Sequence, residues 1–132
     1  MIFVDTGAFV ARYMESDQHH KAALKTWKRA DVSGERLLTS NFVLDETFTL
    51  LGRWASYPFA AQKARLIYSS TRIEILRPDE KDELKALAFF EKFADQGVSF
   101  TDCVSFTLMN RYKARKAFSF DKHFERAGYG LF

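Results

Sequence analysis

The amino-acid sequence predicts an α/β sandwich, a mainly parallel sheet with helices covering both faces to make three layers. Two observations carry this reading. Short apolar runs, Ile2-Phe3-Val4 first among them, read as strands buried on both faces. The longer segments between such runs repeat their apolar residues at helical spacing, and strands alternating with helices build parallel sheets. No repeat, low-complexity tract or linker interrupts the 132 residues. Residues 1–132 are therefore expected to form one domain, long enough to bury a core without disulfides.

The elements follow in order. Asp5-Thr6-Gly7 ends the first strand, and a helix is expected from Ala8 to Met14. Glu15-Ser16-Asp17 punctuates before a second helix whose Ala22, Ala23, Leu24 and Trp27 share a face. Gly34 breaks that pattern, and Arg36-Leu37-Leu38-Thr39 is the second strand. Ser40 or Asn41 can cap a long helix to about Ala55. Ser56-Tyr57-Pro58 interrupts, with Pro58 placed to open the next helix, through Ile67. Arg72 to Leu76 is a strand, closed by Arg77-Pro78-Asp79. A helix from Glu80 to Phe93 carries Leu84, Leu87 and Ala88 at helical intervals and stops at Gly97. Val98-Ser99-Phe100 is expected to be a fourth strand, followed by a helix from Thr101 to Lys113. Ala117-Phe118-Ser119 is expected to be the fifth strand, and Asp121 to Arg126 a last helical turn or two.

Composition excludes several classes. The start of the chain lacks a basic segment and a long apolar run, unlike a secretory leader. No stretch approaches the ~20 apolar residues of a membrane helix. The single cysteine, Cys103, forbids an internal disulfide, and a cytoplasmic protein is expected. The net charge of +3 favours a polyanionic partner only weakly. The 14 phenylalanines either fill the core or in part form a binding surface, and packing is expected to hold most of them.

Acidic residues stand where an open sheet places its ligand site, beyond the carboxyl ends of its strands. Asp5 follows the first strand, Asp102 the expected fourth and Asp121 the expected fifth. Clustered carboxylates repel one another and lose hydration, so such a cluster implies a bound cation. Oxygen ligands select hard ions, Mg²⁺ or Mn²⁺, and this is the wiring of metal-assisted phosphodiester hydrolysis. Each acid also has a structural explanation. Asp5 could cap the first helix, although Thr6 can do so in its place. Glu46 borders an apolar stripe of Phe42, Val43 and Leu50, where a charge can reach solvent or pair with Lys or Arg. Ser99-Phe100-Thr101-Asp102 matches a capping box, and Asp121 could be the N-cap of the last helix.

Other signals are weaker. His19 and His20 are adjacent and cannot share a helix face, so zinc is not expected. Cys103 reads as a small buried residue without a base partner. The run Arg111, Lys113, Arg115 and Lys116 is either a solvated helix end or a contact for nucleic-acid backbone near the acids.

Four pieces together resemble a family. Phe3-Val4-Asp5-Thr6-Gly7-Ala8-Phe9, Ser40-Asn41-Phe42-Val43-Leu44-Asp45-Glu46, Phe100-Thr101-Asp102-Cys103 and Phe118-Ser119-Phe120-Asp121-Lys122-His123-Phe124 span nearly the whole chain. In order and spacing they resemble the PIN-domain ribonucleases, most closely the VapC-type toxins of toxin–antitoxin pairs. The resemblance implies a parallel sheet in the order 3-2-1-4-5 and a divalent-metal site. Asp5, Glu46 and Asp102 would match the main acidic triad and Asp121 the less constant fourth acid, with Thr6 and Ser119 as supporting groups. It also implies endoribonuclease activity on RNA, frequent homodimers, and inhibition by a small antitoxin protein that covers the acidic groove. Cys103 stands where alanine is more usual. Two rivals remain: a PIN-like domain that acts only by binding protein, and another metal-dependent phosphohydrolase. Haloacid-dehalogenase-type phosphatases need an acid at position 7, which is glycine, and receiver domains need a second acid beside Asp5, where Thr6 stands.

Overall fold

The computed structural model describes all 132 residues. Five strands, β1 (Ile2–Val4), β2 (Leu37–Ser40), β3 (Ile73–Leu76), β4 (Lys116–Phe118) and β5 (Gly130–Leu131), form one sheet in the order β3-β2-β1-β4-β5. Every neighbouring pair is parallel. β1 takes the centre because all three of its residues are apolar and none reaches solvent. Helices α1 (Thr6–Tyr13), α2 (His20–Ser33), α3 (Asn41–Trp54), α4 (Tyr57–Ser69), α5 (Glu80–Lys92), α6 (Phe100–Tyr112) and α7 (Lys122–Arg126) flank it, which is the expected α/β class and strand order. None is long and apolar enough to cross a membrane.

Local chemistry sets the boundaries. The Ser40 hydroxyl accepts the Val43 N–H and caps α3, which settles the choice between Ser40 and Asn41. Ser56 caps α4 in the same way, with Pro58 in its first turn. Gly34 ends α2 in the left-handed region at φ 69°, a conformation that costs glycine least. In α2 the buried face is Ala23, Trp27 and Ala30, whereas Ala22 and Leu24 lie in solvent. That spacing of four then three follows the helix better than the expected cluster around Leu24. Trp27 fixes the helix by donating its indole N–H to the Ala8 carbonyl at 3.0 Å.

Two strand assignments need correction. Val98-Ser99-Phe100 is not a strand. Gly97, at φ 65°, ends a short 3-10 turn after α5, and Ser99 already caps α6 by accepting the Asp102 N–H. Only Val98 lies between Gly97 and Ser99, too little for a strand, so α6 follows α5 and its short turn with no strand between them. The sheet's fourth strand is therefore the segment around Ala117, which begins at Lys116 and ends at Phe118. Its fifth is Gly130–Leu131, two exposed residues with no periodicity to announce them.

The phenylalanines are core. All except Phe90, which is 41% exposed, are buried or pack on buried residues. α5 turns Ala86 inward, while Leu84 and Leu87 of the periodic stripe face solvent beside Phe90.

Candidate functional site

The strand order reverses around β1 and β4, and ligands bind in open α/β sheets where such a reversal opens a crevice beyond the strand ends. Here Asp5 directly follows β1 and Ser119 directly follows β4. Asp5, Thr6, Glu46, Asp102 and Asp121 all line one cleft of about 700 Å³ at this edge. Ser119 borders it by donating from Oγ to Asp5 Oδ2 at 2.8 Å, a buried bond that ties the two strand ends together.

Asp5 is 5% exposed, and its carboxylate makes no capping bond to α1. Thr6 does not cap that helix either. It lies inside the first turn and donates its hydroxyl to Glu46 Oε2 at 3.3 Å, with the Val43 carbonyl at 3.5 Å. Thr6 thus links α1 to α3 and orients the half-buried Glu46. Asp45, one position away, is exposed.

The structural explanation offered for Asp102 fails in an informative way. A complete capping box exists at Asp79 and Asp82, where each side chain bonds the other's backbone N–H. At Ser99 and Asp102 only the serine half forms, so the Asp102 carboxylate is not spent on the helix end. It sits in the first turn of α6, not after a strand. It faces His123, whose Nδ1 lies 3.2 Å from Asp102 Oδ2 and 3.2 Å from Asp121 Oδ1. Asp121 does cap α7, accepting the His123 N–H at 2.9 Å, and remains part-exposed.

His123 is the residue that sequence reasoning missed. Its local signal was slight, a histidine two positions after a capping aspartate, which the cap then turns towards the acids. One ligand atom each from Asp102, Asp121 and His123 lie within 4.8 Å of one another, close enough to share an ion. His19 also borders the cleft, stacked on Phe120 with ring centroids 4.4 Å apart, while His20 bonds the Ala11 carbonyl instead.

Electrostatics mark the cleft as unbalanced. Burial first, and then the Asp102 charge, push Asp5 up to about 7. Burial raises Asp102 to about 6 against the lowering effect of His123, with Asp121 adding repulsion. Burial raises Glu46 as well. No Lys or Arg pairs with any of the four acids, and His123 alone reaches two of them. Buried carboxylates without cationic partners fit a bound divalent ion, and the donor set of carboxylate oxygens with one imidazole suits a hard or borderline metal.

The remaining candidates fall elsewhere. Burial pushes the Cys103 thiol up to about 11, which leaves it protonated and inert. The basic run lies away from the acids. Lys116 opens β4 at the opposite end of the sheet and pairs with Glu35, and Arg111 joins α6 to Asp82 at the start of α5.

Fold and cleft together define an α/β domain with an acidic pocket at its topological switch point. The model of the PIN domain family matches residues 2–129, and the chain belongs to that family. Among curated relatives, the 23S rRNA-specific endonuclease VapC20 of Mycobacterium tuberculosis is 32% identical over 130 residues, covering 98% of this chain and 95% of the relative. A VapC ribonuclease of Archaeoglobus fulgidus is 33% identical over 124 residues, covering 92% and 77%. The crystal structure of VapC20, described as a Sarcin-Ricin loop cleaving toxin, superimposes with a TM-score of 0.88 at 30% identity, covering 98% of this chain and 96% of that one. VapBC2 from Rickettsia felis, solved with promoter DNA, shares the fold at a TM-score of 0.70 and 16% identity, covering 100% and 98%.

Proposed function

We propose that this chain is a divalent-metal-dependent endoribonuclease that hydrolyses RNA phosphodiester bonds, acting as the toxin of a type II toxin–antitoxin pair. One observation carries the chemistry: two nearly buried carboxylates, Asp5 and Asp102, share a cleft with Glu46 and Asp121 and have no Lys or Arg partner. The RNA substrate and the toxin role are supported by family membership and by relatives named as RNA endonucleases. A small antitoxin partner and a homodimer belong to the same proposal. The apolar stripe Leu84, Leu87 and Phe90 on α5 is consistent with a protein contact. The whole chain acts as a single nuclease domain.

Asp5 and Asp102 would hold a Mg²⁺ or Mn²⁺ ion, with Asp121 contributing a further oxygen. Such an ion would polarise a phosphate oxygen and lower the pKa of a water, so that the water could give up a proton at neutral pH and attack phosphorus. Ser119 keeps Asp5 in one rotamer through its 2.8 Å bond, and Thr6 does the same for Glu46. Glu46, less buried than Asp5, would complete the ion's shell or orient the attacking water and accept its proton, a role its raised pKa supports. His123, with Nδ1 3.2 Å from each, would hold Asp102 and Asp121 in position beside the ion.

Purified protein is expected to cut a structured RNA with Mg²⁺ or Mn²⁺ and to stop in EDTA. Metal binding also has a predictable pH dependence. The ion displaces protons from Asp5 and Asp102, so Mn²⁺ affinity is expected to rise through pH 6–7 and level off above it. Calorimetric titration in buffers of different ionisation heat checks this by the protons released below pH 7. Affinity independent of pH over that range, or cutting undiminished by EDTA, would overturn the assignment.

A further inference from the structure

The cleft carries its own cations, and they are not spent on its acids. Lys122 and Arg126 both line it, yet neither forms an ion pair. Their placement follows from one core residue. Phe124, midway between them on α7, is fully buried against Phe106. Residues two positions either side of a buried helical residue point away from it, and positions four apart share a face. Burying Phe124 therefore turns Lys122 and Arg126 together towards solvent, and that face borders the acidic cleft.

A polyanionic strand meets a difficulty here, because four carboxylates repel it. One divalent ion offsets only part of that charge at the reacting phosphate. Phosphate contacts from Lys and Arg position a strand without reading its sequence, and they supply most of the salt-dependent affinity. The other basic cluster, around Arg111, Lys113, Arg115 and Lys116, is at the far end of the sheet, with Arg111 and Lys116 engaged by acids.

We propose that Lys122 and Arg126 form a two-point clamp for the RNA backbone, holding phosphates that flank the scissile one on the α7 side of the cleft. The inference rests on the nuclease reading and adds to it the direction from which the strand is held. Both side chains are exposed, so their removal leaves the core and the acids in place.

The test is binding of a fluorescently labelled, unstructured RNA oligonucleotide, followed by anisotropy from 50 to 300 mM KCl. An Asp5→Asn background prevents cleavage. Removing both contacts in Lys122→Ala/Arg126→Ala is expected to lower the slope of log K against log salt by about 1.4, at ~0.7 per phosphate on a single strand. The same double substitution in the otherwise native chain is expected to raise KM for RNA cleavage about tenfold or more while changing kcat little. Lys113→Ala/Arg115→Ala, the same charge change at the other end of the sheet, is expected to leave both readouts unchanged, and Mn²⁺ affinity is expected to persist in every chain that retains Asp5. Unchanged slope and KM in the double variant would overturn the clamp alone and leave the pair to an acidic peptide. If the native chain neither binds nor cuts RNA, the nuclease reading falls, and the clamp with it.

Discussion

Replacing Asp5 by Asn is expected to abolish RNA cleavage, a loss of at least about 10³-fold, and at the same time to make the metal-free protein more stable. The two effects have one cause. Asp5 titrates near 7 in the fold against 3.8 when unperturbed, because burial and the Asp102 charge disfavour its ionised form. Between those values the folded state holds a proton that the unfolded chain has lost. Stability of the metal-free protein therefore falls as pH rises from about 4 to about 7, and stays low above it. Ionising so displaced a carboxyl in the fold costs on the order of 4 kcal/mol at pH 8. Asparagine carries no charge, and its side-chain oxygen can still accept the Ser119 hydroxyl. Thermal melts at pH 8 in EDTA are expected to place Asp5→Asn above the native chain, and at pH 4 to bring the two together. Excess Mn²⁺ is expected to raise the native midpoint and move the variant much less, since a ligand stabilises only the state that binds it. A variant that melts lower at pH 8 and cuts RNA normally would mean that Asp5 is structural.

The second large effect is on stability. Phe106 of α6 is 1% exposed, and its ring meets Phe89 and Phe93 at the α5 end, Phe124 of α7 and Tyr129 before β5. Tyr129 also donates its hydroxyl to the Phe106 carbonyl at 3.0 Å. One side chain thus joins the helix that carries Asp102 to the helix that follows Asp121. Phe106→Ala is expected to cost about 3–5 kcal/mol from lost transfer energy and the cavity left behind. That is a large part of the ~5–15 kcal/mol that holds a domain folded. Cleavage is expected to fall as well, because α6 and α7 lose their common packing. Phe90→Ala is the control: Phe90 is 41% exposed and is expected to cost about 1 kcal/mol or less. Equal losses from the two variants in urea titrations would show that the aromatic cluster is not what holds these helices together.

Much of this architecture was legible because local and global signals agree. An apolar run ended by an acid gave β1 and Asp5, and helical periodicity with serine caps gave α3 and α4. The failures have physical causes. Val98-Ser99-Phe100 has a strand's composition, but Gly97 and the Ser99 cap leave no room for one, and hydrophobicity cannot report that competition. Residues 130–131 pair in the sheet only through backbone, so their side chains carry no message. At the site, Asp5, Glu46, Asp102 and Asp121 reach one cleft from four distant positions. Their capping motifs were ambiguous until the geometry showed which carboxylates the helix ends use. His123 and the clamp cations depend on how α7 rotates around Phe124, which only tertiary packing determines.

The most direct test of the central claim is the chemistry of the cut ends. If the acidic cleft directs a water to phosphorus, RNA fragments made with Mg²⁺ or Mn²⁺ carry no 2′,3′-cyclic phosphate, and none form with EDTA or with Asp5→Asn. Cyclic phosphate ends, formed without metal and retained in the variant, would show that the neighbouring 2′-hydroxyl does the cutting and that this cleft does not.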